Sequence, residues 1–198
     1  VKFRALGLTA GLLLGLIGSS AQAQEALPLD LLNLVTVAEE SSELSYDRTM
    51  FNHWIDEDQN GCDTREEVLK AESTIKAKTG KGCELLSGKW LSQYDNKSFT
   101  KASQLDIDHL VPLKEAWESG AGAWTERERE LFANDLGYKE SLIAVSASTN
   151  RSKSDRDPSD WQPANKNYTC QYAVTWVSVK YRWSLTVDAA EYSALSSM

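Results

Sequence analysis

Apolar and polar positions follow several different rhythms along the 198 residues. Residues 6–17 form one apolar run of about a dozen, preceded by Lys2 and Arg4 and followed by the small-x-small triplet Ala21-Gln22-Ala23. That order is expected of an export signal in residues 1–23, and the run falls short of the roughly 20 apolar residues that span a bilayer. The initial Val1 reads as an alternative start codon. Residues 24–44 form a leader whose apolar stretch, 27–37, is open to a short helix, a strand or a loose tail. The main domain is expected over 45–198. In residues 46–55, Tyr46, Met50, Phe51 and Trp54 recur at helical spacing and predict a core-facing helix. A helix-like run follows at 65–78. Residues 89–94 and 98–100 read as a hairpin turning at Asp95-Asn96-Lys97. Residues 105–109 alternate as a strand, and 114–118 open a helix interrupted by Gly120 and Gly122. Thr125 with Glu128 forms a capping box for a helix through Leu131, Phe132 and Leu136. A second apolar strand runs through 141–145. A short third element is expected at 154–161, with Pro158 in its first turn. The pattern of Tyr172, Trp176, Val179 and Trp183 predicts an amphipathic helix over 168–183, and 187–195 a last short one. The class is α+β, with a helical insertion between two strands and helices at the C-terminus.

Composition changes this picture in two places. Cleavage after Ala23 leaves about 175 residues, enough for one core, and no later apolar stretch could cross a membrane. Of 21 basic residues two, Lys2 and Arg4, lie in the export signal, so 19 stand against 29 acidic ones, a net charge of −10. A polyanion-binding surface must then be a local cluster, which charge screening beyond about 8 Å permits. Arg151, Lys153 and Arg156 form one such cluster. Three cysteines in an exported chain allow one bridge. Cys62 and Cys83 both sit in Gly-Cys turns and form the expected pair, stabilising the fold by about 3 kcal/mol. Cys170, followed by Ala173, Trp176 and Val177 at helical spacing, is expected as a buried thiol. The tryptophans read as core material, since a base-stacking platform needs them exposed.

The chemistry concentrates in Asp106-Ile107-Asp108-His109-Leu110-Val111-Pro112-Leu113. On a strand Asp106 and Asp108 share a face, and Pro112 ends the ladder. A carboxylate beside a neutral imidazole can pair cation binding with proton transfer. About forty residues on, after the second strand, stands Asn150-Arg151-Ser152-Lys153-Ser154-Asp155. Together these two motifs resemble the HNH endonuclease superfamily, including the HNH domain of RNA-guided CRISPR nucleases. The fuller run adds Phe132-Ala133-Asn134-Asp135-Leu136 and continues to Trp161. It resembles secreted bacterial HNH-family nucleases and the nuclease part of GmrSD-type restriction enzymes over roughly residues 45–195. The resemblance implies an elaborated ββα-metal core. It implies that Asp108 and Asn150 bind one Mg²⁺ or Mn²⁺, that His109 deprotonates the attacking water, and that Asp106 supports the ligands from behind. Arg151 or Lys153 would balance phosphate charge. The middle Asn of the H-N-H pattern has no counterpart in 141–145, so Ser141 or a backbone carbonyl must set the His109 ring. The pair Asn134 and Asp135 is expected to fix a helix end.

The chain has two histidines. A His-rich zinc site is excluded, and no Gly-x-Ser-x-Gly elbow exists for a serine triad. His53 reads as a surface or satisfied core residue, so His109 carries any proton transfer. The residues from Asp56 to Glu67 also fit a calcium loop, with Asp56, Asp58, Asn60 and Glu67 as Ca²⁺ ligands and Gly61 at the turn. The eighth position, normally apolar, is Asp63. The resembling nucleases carry a similar run, so a turn aiming Arg65 at the active-site cleft competes with the calcium reading. The expected activity is a secreted or periplasmic nuclease acting on DNA, with RNA the other candidate. Two readings compete with it: a non-catalytic exported calcium-binding module with an inert HNH remnant, and a phosphodiesterase for small nucleotides. The expected partner is the nucleic-acid substrate, and the sequence does not identify protein partners.

Overall fold

The computed structural model describes residues 28–41 and 45–198; the expected export signal in 1–23, its expected cleavage site and residues 24–27 lie outside the described residues. In chain order the elements begin with α1 (Pro28–Leu32), α2 (Thr64–Glu72), the pair β1 (Lys78–Thr79) and β2 (Leu85–Ser87), and the pair β3 (Trp90–Ser92) and β4 (Lys97–Phe99). They continue with β5 (Leu105–His109), α3 (Leu113–Glu118), α4 (Glu126–Ala133), β6 (Leu142–Ser146), α5 (Ala147–Lys153), α6 (Thr169–Arg182) and α7 (Ala189–Ser197). The three sheets are two-stranded, so the class is α+β.

Strands β5 and β6 form the central pair. They run antiparallel, with Asp106 opposite Val145, Asp108 opposite Ile143 and His109 opposite Leu142. Alternation sorts their side chains onto two faces. Leu105, Ile107, Leu142 and Ala144 join Val68, Leu69 and Trp90 in a smaller cluster. Ile143 and Val145 face a larger core containing Tyr94, Tyr172 and Trp176. Asp106 and Asp108 therefore share the face of the larger core, and His109 takes the other. Side-chain oxygens cap the outer edge of β6. Glu72 Oε2 accepts from the Ala144 N–H at 2.9 Å, and Ser92 Oγ from the Ser146 N–H at 3.0 Å. An open strand edge is thereby withdrawn from pairing with other chains. Trp90, Tyr94, Tyr172 and Trp176 are all fully buried and dominate the apolar area these cores remove from water.

Most expected elements are present, and the exceptions have local causes. Residues 46–55 hold only one 3-10 turn, Arg48–Met50, capped by Asp47, whose Oδ1 accepts from Thr49 N at 2.8 Å. The helical spacing of its aromatics arises because they anchor in different places. Phe51 is buried against Trp117 and Phe132, whereas Trp54 packs on the smaller cluster. Helix α2 stops at Glu72 rather than near 78, because Thr74 N–H turns to Lys89 O at 2.7 Å. The third element is α5, immediately after β6, and not 154–161. Ser146 Oγ caps it through Thr149 N–H at 3.3 Å, and Ser154 ends it with φ of 53°. Part of the leader belongs to the core. Leu32 and Val35 are buried, and Val37 bridges Val187 in parallel.

The expected disulfide is present, joining Cys62 to Cys83 with Cα atoms 5.0 Å apart. Cys170 corrects the expectation of a buried thiol. It is exposed at the start of α6, while Ala173, Trp176 and Val177 turn inward. The capping box of Thr125 and Glu128 starts α4, and an unforeseen one of Asp188 and Glu191 starts α7.

Candidate active site

Strand β5 delivers its motif to the end of the sheet, where Pro112 turns the chain into α3. The His109 ring is 6% exposed, and its Nε2 lies 2.9 Å from the Ala133 carbonyl. A carbonyl can only accept, so Nε2 carries the proton and Nδ1 keeps its lone pair. The role left open for Ser141 or a backbone carbonyl thus falls to the carbonyl of Ala133. Ser141 instead donates to Asp135 Oδ2 at 2.9 Å. Trp54 stacks on the imidazole, centroids 5.4 Å apart and planes 26° off parallel, and His53 meets it edge-on at 6.2 Å. Burial pushes the imidazole pKa down from 6.5 to about 3, and the nearby Arg48 cation pushes the same way. The ring is neutral at any physiological pH.

Asp108 is held from two sides. Its Oδ2 accepts from Tyr94 OH at 2.5 Å, and its carboxylate meets Lys153 Nζ at 2.8 and 2.9 Å. Lys153 is wholly buried and also donates to the His109 carbonyl at 3.0 Å. Burial pushes Asp108 up and Lys153 down, and each charge offsets the penalty of the other. Lys153, expected as a partner for phosphate charge, is instead buried and occupied by Asp108, and it fixes β5 to α5.

Asp108, His109, Asn150 and Arg151 line one cleft of about 300 Å³, together with Arg48 and Asp155. Asp106 supports this wall from outside the cleft. Asn150 gives it Nδ2 at 3.4 Å, and Arg151 Nε lies 3.9 Å away. With its nitrogen turned to Asp106, Asn150 has its amide oxygen left for the cleft. Asp108 Oδ1 accepts one bond and retains a lone pair. Two oxygen donors of this kind fit a hard divalent cation that keeps most of its waters.

The acidic loop is arranged differently. Asp56 accepts from Asn60 N and Gly61 N at 3.1 and 2.9 Å, and Asp58 and Glu67 accept from the Asn60 amide at 2.8 and 3.0 Å. Asp63 is polar at the eighth position because it caps α2, with Glu66 completing the box. Among the described residues, the one group of three carboxylates with oxygens within 4.8 Å of one another is Glu40, Glu115 and Asp157, away from this loop. Arg65 does not face the cleft. Its Nη2 binds the carbonyls of Leu105 and Ala102 at 2.9 and 3.3 Å, clamping α2 to the start of β5.

Three contributors escaped the sequence reading. Tyr94 gave no signal beyond a strand aromatic. Ala133 acts through its carbonyl, which no side-chain pattern marks. Arg48 carries only the weak sign of an Asp cap before it. The stretch around Ala133 also explains its neighbours. Asn134 bonds Asn52 O, Ile55 N and Thr64 Oγ1, and Asp135 bonds Ser141, Gly137 N and Trp183.

Comparisons with known proteins give the family. The family described as GmrSD restriction endonucleases, C-terminal domain, matches residues 63–198. An uncharacterized secreted protein of the fungus Arthroderma benhamiae is 44% identical over 168 residues, covering 85% of this chain and 81% of the relative. No solved structure matches at a significant level. With more than half its length matched, the chain belongs to the family of GmrSD restriction endonuclease C-terminal domains.

Proposed function

We propose that this chain is an exported, metal-dependent endonuclease that hydrolyses phosphodiester bonds of nucleic acid with little sequence preference, using HNH-type chemistry on a β5–β6–α5 core. One observation carries the reading. His109 is fixed through Nε2 and keeps Nδ1 as an acceptor in a cleft shared with Asp108 and Asn150.

In this reading Nδ1 takes a proton from a water as its oxygen attacks phosphorus. The bond from phosphorus to the 3′ oxygen breaks, leaving a 5′ phosphate. A positioned base of this kind is worth on the order of 10² to 10⁴ in rate. The depressed pKa keeps the base deprotonated, and the incoming phosphate charge stabilises the imidazolium as it forms. Asp108 and Asn150 would hold the divalent cation, Mg²⁺ or Mn²⁺. When bound, that ion supplies charge stabilisation for the departing 3′ oxygen. Asp106 keeps the Asn150 amide turned, and Tyr94 with Lys153 keeps the Asp108 carboxylate in place. The secreted relative and the expected export signal support action outside the cytoplasm.

The test is incubation of the purified mature chain with plasmid DNA and with RNA, with Mg²⁺ or Mn²⁺ and with a chelator. Ion-dependent fragments ending in 5′ phosphate are expected. A chain that leaves both polymers intact under all ions overturns the nuclease reading, and turnover of a model diester in its place identifies a small-nucleotide phosphodiesterase.

A further inference from the structure

The family match begins at residue 63, yet residues 45–55 reach the catalytic cleft. Hydrogen bonds hold this segment in place. Arg129 Nε donates to Met50 O at 3.1 Å, Asn134 Nδ2 to Asn52 O at 2.8 Å, and Asn52 Nδ2 to Glu130 Oε2 at 2.5 Å. Ile55 N–H reaches Asn134 Oδ1 at 3.2 Å, and Ile55 O accepts from Thr64 N at 2.9 Å. The segment is thus tied to α4 and α2 before any ligand arrives. Besides His53, which meets the ring edge-on, it brings two residues to His109. Trp54 covers the face of the imidazole and holds a φ of 62°. A tryptophan in that left-handed region is strained and persists only where its surroundings fix it.

Arg48 is the other. The Asp47-capped turn presents it on the cleft, exposed to solvent and next to Tyr46. Among the described residues it forms no ion pair with a carboxylate, in contrast to Arg127 and Arg182. Lys153, the strongest basic candidate in the motif itself, is consumed by Asp108. Arg48 and Arg151 are then the two arginines lining the cleft. A guanidinium offers paired donors suited to phosphate oxygens.

We propose that residues 45–55 form a second wall of the active site, in which Arg48 binds the substrate phosphate together with Arg151 of α5. The wall lies outside the family domain, so the domain alone is an incomplete site. This proposal rests on the nuclease reading. It explains how a protein with a net charge of −8 over its full sequence meets a polyanion: two arginines stand together at the cleft, and screening limits the reach of the acidic surface beyond it.

The test compares the mature chain with Arg48→Ala and Arg48→Lys on whichever polymer the wild type cuts, across a range of NaCl concentrations. Arg48→Ala should raise KM roughly tenfold and lower the log–log salt slope by about 0.7 to 0.9, the value of one phosphate contact. Arg48→Lys should restore most of that slope, and the melting temperature of both should match wild type because Arg48 is exposed. A wild type that cuts while Arg48→Ala keeps the same KM and slope overturns the phosphate assignment and leaves the nuclease reading standing. A fall in kcat alone, with KM and slope intact, overturns it equally. A wild type that cuts neither DNA nor RNA overturns both.

Discussion

Two lysines flank Trp176, each with Nζ 5.9 Å from the indole ring, and both are completely buried. Lys153 sits at the rim of the candidate site and binds Asp108 and the His109 carbonyl. Lys180 sits in the core, binding Glu115 at 2.5 Å, Glu191 at 3.2 Å and the Thr186 carbonyl at 2.8 Å. The physical demand is the same in both places, because a desolvated ammonium must have charged or dipolar partners. The consequences differ. Around Lys180 the surplus carboxylate is kept neutral: burial pushes Glu191 up to about 8, with Glu115 adding to the effect. At the site the group kept neutral is a base, His109, pushed down to about 3. Burial disfavours whichever form is charged, so one rule stores a proton in the core and removes one at the cleft. The core cluster locks α7 onto α6. The site cluster leaves a lone pair in an open cleft.

The largest effect expected is on the cleft side. His109→Ala should cut the cleavage rate by about two to four orders of magnitude, the worth of a positioned base, while the fold persists. Near wild-type cleavage by a folded His109→Ala chain would falsify its role as the base. Lysine replacements come next. Lys153→Met and Lys180→Met each leave a buried carboxylate without its cation, and each should cost about 3–5 kcal/mol in urea unfolding. The comparison sharpens in chains that stay folded at low temperature. Lys153→Met should lose cleavage, because Asp108 and the end of β5 are released, whereas Lys180→Met should retain it. Equal activity in the two variants would remove the distinction drawn between the clusters.

The sequence made the skeleton of this comparison legible and hid its wiring. Asp108, His109 and Asn150 stood out because their two motifs together resemble those of HNH nucleases; neither motif marks a site by itself. The helix carrying Trp176 and Lys180 was legible from its apolar period. The disulfide followed from two Gly-Cys turns. Lys153 was misplaced as a phosphate ligand because sequence shows a charge and not its burial. The 46–55 segment misled for a related reason: its aromatics are spaced like a helix but anchor in separate clusters. The Ala133 carbonyl could not be read at all, since any residue type supplies one. The acidic pattern of the Asp56–Glu67 loop fits an ion, and its oxygens also accept from the loop's own N–H groups and the Asn60 amide, which sequence does not show.

The smallest expected effect tests the opposed titrations directly, through the pH dependence of stability. His109 has a folded pKa of about 3 against an ordinary 6.5, so the unfolded chain binds the extra proton between those values. Its contribution is complete above pH 6.5 and is lost as pH falls towards 3. Glu191 has a folded pKa of about 8 against 4.5, so the folded chain holds the extra proton in that window. Its contribution is complete below pH 4.5 and is lost as pH rises through 8. Glu72, buried beside Ala144 N–H and raised to about 7, and Glu40, raised to about 7 by partial burial and by Glu115, act in the same sense as Glu191. Stability set by these four groups therefore declines towards both ends of the range. Removing one group should tilt the profile. His109→Ala should flatten the acid limb between pH 3 and 6.5 and leave the alkaline limb, while Glu191→Gln should flatten the limb between 4.5 and 8 and leave the acid one. Urea midpoints measured at half-unit steps of pH resolve the two limbs. If both variants tilt the profile in the same direction, the opposed protonation of cleft and core is wrong.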